Sequence, residues 1–163
     1  MEGWLVKIFI DILSNKIVYP SIITTISAQV LKFLIDFYRN KRINWRSVFS
    51  MGGMPSSHSA SVSALATSLS RYEPDGVFSL GFGSSLVFAL IVMYDAAGIR
   101  RSAGQQAVVI NKVVDKLEDE SGKKIIKNNL KEVLGHTPIE VLMGAVFGFL
   151  VSWFICYVLD PIR

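Results

Sequence analysis

The chain has 163 residues, 51% of them apolar, a mean hydropathy of +0.43 and a net charge of +4. That length fits one domain. The apolar bias, with charge crowded into residues 39–46 and 100–132, excludes an ordinary soluble protein and points to an integral membrane protein.

Residues 4–13 are apolar but short, and Lys7 and Asp11 interrupt them. They read as an interfacial helix or a lead-in to the first span. The early acid, Asp11 and the lack of a small-residue cleavage site argue against a signal peptide. Residues 17–38 are long enough to cross a bilayer, with Pro20 near the helix start, where it is tolerated. Residues 56–70 are rich in Ser and Ala, weak against lipid, and are expected inside a bundle, where small residues allow close approach. Residues 77–99 form the strongest span. Between 104 and 134, Ile110, Val113, Val114 and Leu117 recur at helical spacing, and Ile125 to Leu134 follows after Ser121-Gly122. This reads as an amphipathic insert of one or two surface helices. Residues 138–159 form the last span. The expected fold is all-α: one membrane-embedded bundle of four to five segments spanning 1–163, with the insert at 104–134. The lone Cys156 cannot form an internal disulfide.

Charge sets the expected orientation. Arg39, Lys41, Arg42 and Arg46 stand without an acid, and 100–132 carries eight Lys or Arg against five acids. By the positive-inside rule both loops face the cytoplasm. The positive charge then fits anionic headgroups rather than nucleic acid. Both termini fall on the opposite side. The start of 56–70, the end of 77–99 and the start of 138–159 would share the cytoplasmic face, gathering His58, Asp95, Arg100, Arg101 and His136.

Four constellations carry chemistry. Lys32 lies inside the first span with Arg39 two turns later. It either snorkels to the surface or turns inward as a phosphate ligand. Gly52-Gly53-Met54-Pro55-Ser56-Ser57-His58 leads into a helix start, whose free N–H groups suit an anion. Ser56 either cradles phosphate or merely caps the helix, and His58 is a candidate general acid. Asp95, in the last turns of a span, needs a partner, and Arg100 or Arg101 is the candidate. Arginine forks suit phosphate oxygens, although arginines also flank many spans. Finally, Thr137, Pro138 and Glu140 form a capping box, which explains three residues and leaves His136 over. Glu140, four residues on, is placed to orient that imidazole.

Pro55-Ser56-Ser57-His58 with the later Gly135-His136-x3-Glu140 resembles the type-2 phosphatidic acid phosphatase superfamily, which includes lipid phosphate phosphatases and vanadium-dependent haloperoxidases. The strings GGMPSSHSA, YDAAGIRRSAGQQA and LGHTPIEV are similar to its small divergent branch over nearly the whole chain. The resemblance implies that Ser56 binds phosphate, with the Ser57 backbone N–H beside it. It implies that His58 protonates the leaving alcohol and that His136 is the nucleophile forming a phosphohistidine. Glu140 stands for the orienting acid. Lys32 and Arg39 match Lys-x6-Arg, with Asn40 in place of the family proline. Leu130 stands where the family has an arginine, six residues before the nucleophile, so Arg100 or Arg101 would replace that charge.

The implied activity is a metal-independent lipid phosphatase acting on a lipid phosphomonoester or pyrophosphate, such as phosphatidate, phosphatidylglycerophosphate or a polyprenyl phosphate. Vanadate would inhibit it. The expected catalytic residues are His136, His58 and Glu140; the expected phosphate ligands are Ser56, Ser57, Arg100, Arg101, Lys32 and Asp95. Two alternatives stand beside it: a Mg²⁺-dependent phosphatase using Asp95 and Glu140, and a non-catalytic anionic-lipid binder or small transporter. The expected partners are the bilayer, the lipid substrate and a second copy of the chain, since the bundle is thin.

Overall fold

The computed structural model describes residues 2–41, 52–122, 124, 128–132 and 135–159. Arg42 and Arg46 of the first basic loop, and Ile125 and Leu134 of the insert, lie outside the described residues. Among the described residues every regular element is helical. The α-helices among them are α1 (Glu2–Leu13), α2 (Val18–Asn40), α3 (Ser57–Tyr72), α4 (Leu80–Tyr94), α5 (Arg100–Ser121) and α6 (Pro138–Phe154).

Local chemistry sets the helix starts. Asn15 accepts the N–H groups of Ile17 and Val18 on its side chain, at 2.9 and 3.2 Å, as the chain enters α2. Ser56 caps α3 and Ser79 caps α4, each accepting the N–H three residues on. The expected capping box opens α6, with Thr137 and Glu140 bonded reciprocally and Pro138 at the first turn. The left-handed Lys41, φ 53°, closes α2.

Hydrophobicity is arranged for a lipid solvent. Most of the buried residues are small, among them Ala28, Ala60, Ala64 and Ala89, with Thr24, Ser59, Ser68 and Ser152. The large apolar side chains face outward, among them Leu34, Phe88, Ile91, Phe149 and Trp153. Among the described residues three segments are long and apolar enough to cross a membrane: Val18–Asn40, Leu80–Glu120 and Pro138–Leu159. The protein is an integral membrane helical bundle.

As its composition requires, α3 sits inside that bundle, packed on α2, α4 and α6. Its seam with α6 repeats every four residues on both helices. A Cβ on Gly144 would lie 2.4 Å from the Ser56 carbonyl oxygen, and one on Gly148 would lie 2.2 Å from that of Ala60. One turn further, the Ser152 hydroxyl donates to Ala64 O at 3.0 Å and lies 3.2 Å from the Ser68 hydroxyl. Cys156 ends the row, buried 3.7 Å from Ser68 Oγ. Small side chains let the backbones touch, and hydroxyls supply interhelical bonds that lipid cannot.

The structure departs from the expected break near residue 100. The chain stays helical from α4 through a π turn at Asp95–Ile99 into α5, so the insert begins as a continuation of the span rather than as a separate surface helix. At 1.5 Å per residue the 41-residue run measures about 60 Å, roughly twice a bilayer's hydrocarbon thickness. Its distal half therefore projects beyond the lipid. There Ile110, Val113 and Leu117 are exposed, while Gly104, Ala107 and Asn111 are the buried positions.

Candidate active site

Three helix ends meet at one end of the bundle. The N–H of Ser56, at the start of α3, donates to the carbonyl of Glu140 in the first turn of α6 at 3.1 Å. The loop entering α6 lies on the α4–α5 junction so closely that a Cβ on Gly135 would sit 2.6 Å from Arg101 N and 2.8 Å from Arg100 C. Glycine is required there by the close approach of backbone to backbone. The residues carried by these ends, His58, Arg100 and His136, are consequently brought together.

They line a cleft of about 290 Å³ with Ala96, Ala103, Gly104, Lys131 and Gly135. The rings of His58 and His136 face each other edge to face with centroids 6.1 Å apart. The two imidazoles differ in environment. His58 is exposed, whereas His136 is 2% exposed. His136 Nδ1 lies 3.3 Å from Glu140 Oε2, and that same carboxylate oxygen accepts the Thr137 N–H at 2.9 Å. The capping box thus also fixes the imidazole. Nε2 of His136 is buried and has no hydrogen-bond partner. Burial, then the nearby Lys32 charge, pushes His136 below the usual imidazole range; the Glu140 hydrogen bond and charge oppose this, and His58 adds to the lowering. On balance burial favours the neutral ring, whose Nε2 has no hydrogen-bond partner.

The other expected ligands divide between structural and neighbouring roles. Asp95 finds the partner its depth demands: its Oδ2 accepts Arg100 Nε at 2.5 Å across the π turn. Of the two arginines, Arg100 lines the cleft and Arg101 does not. Ser56 is fully buried and its Oγ accepts from Ser59 N and Ser59 Oγ, at 3.4 and 3.1 Å. Its hydroxyl serves as the helix cap and is not part of the cleft lining, as the purely local reading of Pro55-Ser56 allows. The Ser57 hydroxyl accepts from Gln29 Nε2 at 3.2 Å, tying α3 to α2. Lys32 and Arg39, two turns apart, line a second cavity of about 460 Å³ with Asp36, Gly53 and Glu140. Lys32 turns inward, 4% exposed, with its alkyl chain 3.6 Å from where a Gly53 Cβ would stand. Glu140 therefore links the two cavities, bonding His136 of the cleft and lining the cavity that holds Lys32. Among the described residues no group of three or more His, Cys, Asp or Glu is placed to hold a metal ion.

Sequence reasoning missed Lys131 and Asn111. Lys131 lines the cleft, and Asn111 bonds the segment that carries it. The available signal was weak: a lysine beside Leu130, and one asparagine on a helix whose apolar stripe drew attention to the opposite face.

A sequence-family profile described as the divergent PAP2 family matches residues 13–151. The chain is 41% identical over 156 residues to a protein of Bacillus subtilis strain 168 described as the uncharacterized membrane protein YuiD, covering 90% of this chain and 98% of that one. No solved structure matches the chain significantly.

Proposed function

Because the chain belongs to the divergent PAP2 family, we propose that it is a membrane phosphatase that hydrolyses a lipid phosphomonoester or pyrophosphate through a phosphohistidine. One observation carries this reading. Two imidazoles from distant parts of the chain face each other across a cleft, one buried with its Nδ1 on a carboxylate and its Nε2 free, the other exposed.

That asymmetry divides the labour. His136 Nε2 attacks phosphorus while the bond from phosphorus to the lipid oxygen breaks. Glu140 holds the ring and stabilises the positive charge that develops on it. His58 gives its proton to the departing oxygen, a contribution typically worth ~10²–10⁴-fold. Water then attacks the phosphohistidine, His58 takes a proton from it, and the N–P bond breaks to release inorganic phosphate. The positive end of α3 and the Arg100 side chain stabilise the equatorial oxygens. Lys32 and Arg39 add positive potential from the neighbouring cavity. The site faces the cytoplasm, following the basic loops.

Phosphate release from phosphatidate, phosphatidylglycerophosphate and polyprenyl phosphates in mixed micelles tests the reading. The purified protein is expected to release phosphate from at least one, in the presence of EDTA and with inhibition by vanadate. His136→Ala should abolish turnover, and His58→Ala should reduce it by ~10²–10⁴-fold. Wild-type rates in both variants would refute the assignment. Activity lost on chelation would favour chemistry through Asp95 and Glu140. Binding of all three lipids without phosphate release would favour a non-catalytic lipid binder.

A further inference from the structure

One part of the cleft lining comes from the irregular return segment rather than from a helix, and a buried amide holds that segment. Asn111, in the projecting half of α5, is 3% exposed. Its Nδ2 donates to Leu130 O and to Glu132 Oε1, each at 2.9 Å, and its Oδ1 accepts the Leu130 N–H at 2.9 Å. The side chain thus pairs with both backbone groups of Leu130, as a neighbouring strand would, and also with the side chain two residues on. Three polar groups lose their partner if it is truncated, which is costly at a buried position. The residue between the two anchored ones is Lys131, and Lys131 lines the cleft with His58, Arg100 and His136.

Charge accounting marks Lys131 as the cation with work left to do. Arg100 Nε is bonded to Asp95, so much of that charge is balanced at short range. Glu132 points to Asn111, and Lys131 has no ion pair among the described residues. The lining therefore carries an excess of positive charge beside an unpartnered imidazole nitrogen, and the excess sits on Lys131.

We propose that Lys131 binds the anionic group held in this cleft, contacting its phosphoryl oxygens, and that Asn111 is the positioning residue that keeps Lys131 there. The proposal rests on reading the cleft as a phosphoryl site. It gives the α5 extension a purpose: the part of the long helix beyond the lipid is the post to which one wall of the site is tied.

Orthovanadate binding to the purified full-length protein in detergent, followed by calorimetry, separates this proposal from the catalytic reading. Lys131→Ala should weaken binding about tenfold or more, the scale of one charge-assisted contact, and Lys131→Arg should restore it to within about threefold. Asn111→Ala should weaken binding comparably in the wild-type background and add nothing in the Lys131→Ala background, because both remove the same contact. A residue that merely supported the fold would weaken binding in both backgrounds and lower thermal stability as much as affinity. Wild-type affinity in Lys131→Ala, or no vanadate binding by the wild type, would overturn the proposal. Additive losses would overturn the positioning role of Asn111. Lys131 is exposed, so its variants are expected to fold even where Asn111→Ala does not. Vanadate binding that depends on Lys131 without phosphate release from any lipid would sink the phosphatase reading and leave the anion site standing.

Discussion

A protonated imidazole has no lone pair for phosphorus, so the protonation state of His136 decides whether the proposed reaction starts. Its burial holds it neutral to lower pH than a free imidazole, whose reference value is 6.5. The acidic limb of kcat/KM is therefore expected below that value, with activity falling as pH drops through the His136 transition. Two substitutions should move the limb in opposite directions. Glu140→Gln removes a hydrogen bond and a charge that favour imidazolium, so the limb shifts to lower pH. Lys32→Met removes a charge that disfavours imidazolium, so it shifts to higher pH. A pH–rate profile on each variant checks the sign, and a shared direction would count against His136 as the titrating group. The residues that looked alike in sequence separate at this scale. Ser56 and Thr137 both cap helices, but the Thr137 box also grips the histidine through Glu140, whereas the Ser56 hydroxyl turns back on Ser59.

The elements hold the site through contact between backbones rather than through large side chains. At Gly144 and Gly148, α6 lies against the carbonyls of Ser56 and Ala60, and Ser56 is the residue immediately before the helix that carries His58. Any Cβ there meets main chain, which cannot rotate away. Gly148→Ala should therefore push α6 from α3, with destabilisation on the order of 1–3 kcal/mol from overpacking. It should also slow turnover by disturbing the 6.1 Å approach of the two imidazoles. Thermal unfolding in detergent together with the rate measures both effects. An unchanged melting temperature would show that the seam is looser than these contacts imply. The π turn at Asp95–Ile99 belongs to the same logic. It lets one continuous helix carry the Asp95–Arg100 pair at the level of the cleft and then leave the lipid.

At the scale of the molecule, the basic residues are the basis for the orientation proposed above. A cytoplasmic site end would put the projecting half of α5 in the cytoplasm too. In a Cys156→Ser background, Lys116→Cys on the exposed distal part of α5 should resist a membrane-impermeant maleimide in intact cells and react once the membrane is opened. Labelling in intact cells would reverse the orientation and put the cleft on the other leaflet. Ile110, Val113 and Leu117 of that extension are exposed, and the side facing the protein is marked by Gly104, Ala107 and Asn111.

The sequence alone determined the solvent of this protein and named most of the candidate residues that the cleft brings together. Apolar runs separated by charged blocks dictate a membrane bundle. A Ser/Ala-rich helix can only be central when lipid surrounds the rest, and the capping box before the last span is a local signal that needs no partner. Two histidines in 163 residues, each at a helix start, made the candidate pair legible. Tertiary structure decided what no local pattern encodes: that the imidazoles meet, that Arg100 rather than Arg101 reaches the cleft, and that Ser56 does not. It also decided that Lys131 lines the cleft, next to a Leu130 whose backbone pairs with a buried amide nineteen residues earlier. Those outcomes depend on how closely glycine lets three chain segments approach, a property of surfaces brought together across the chain and not of any one stretch of it.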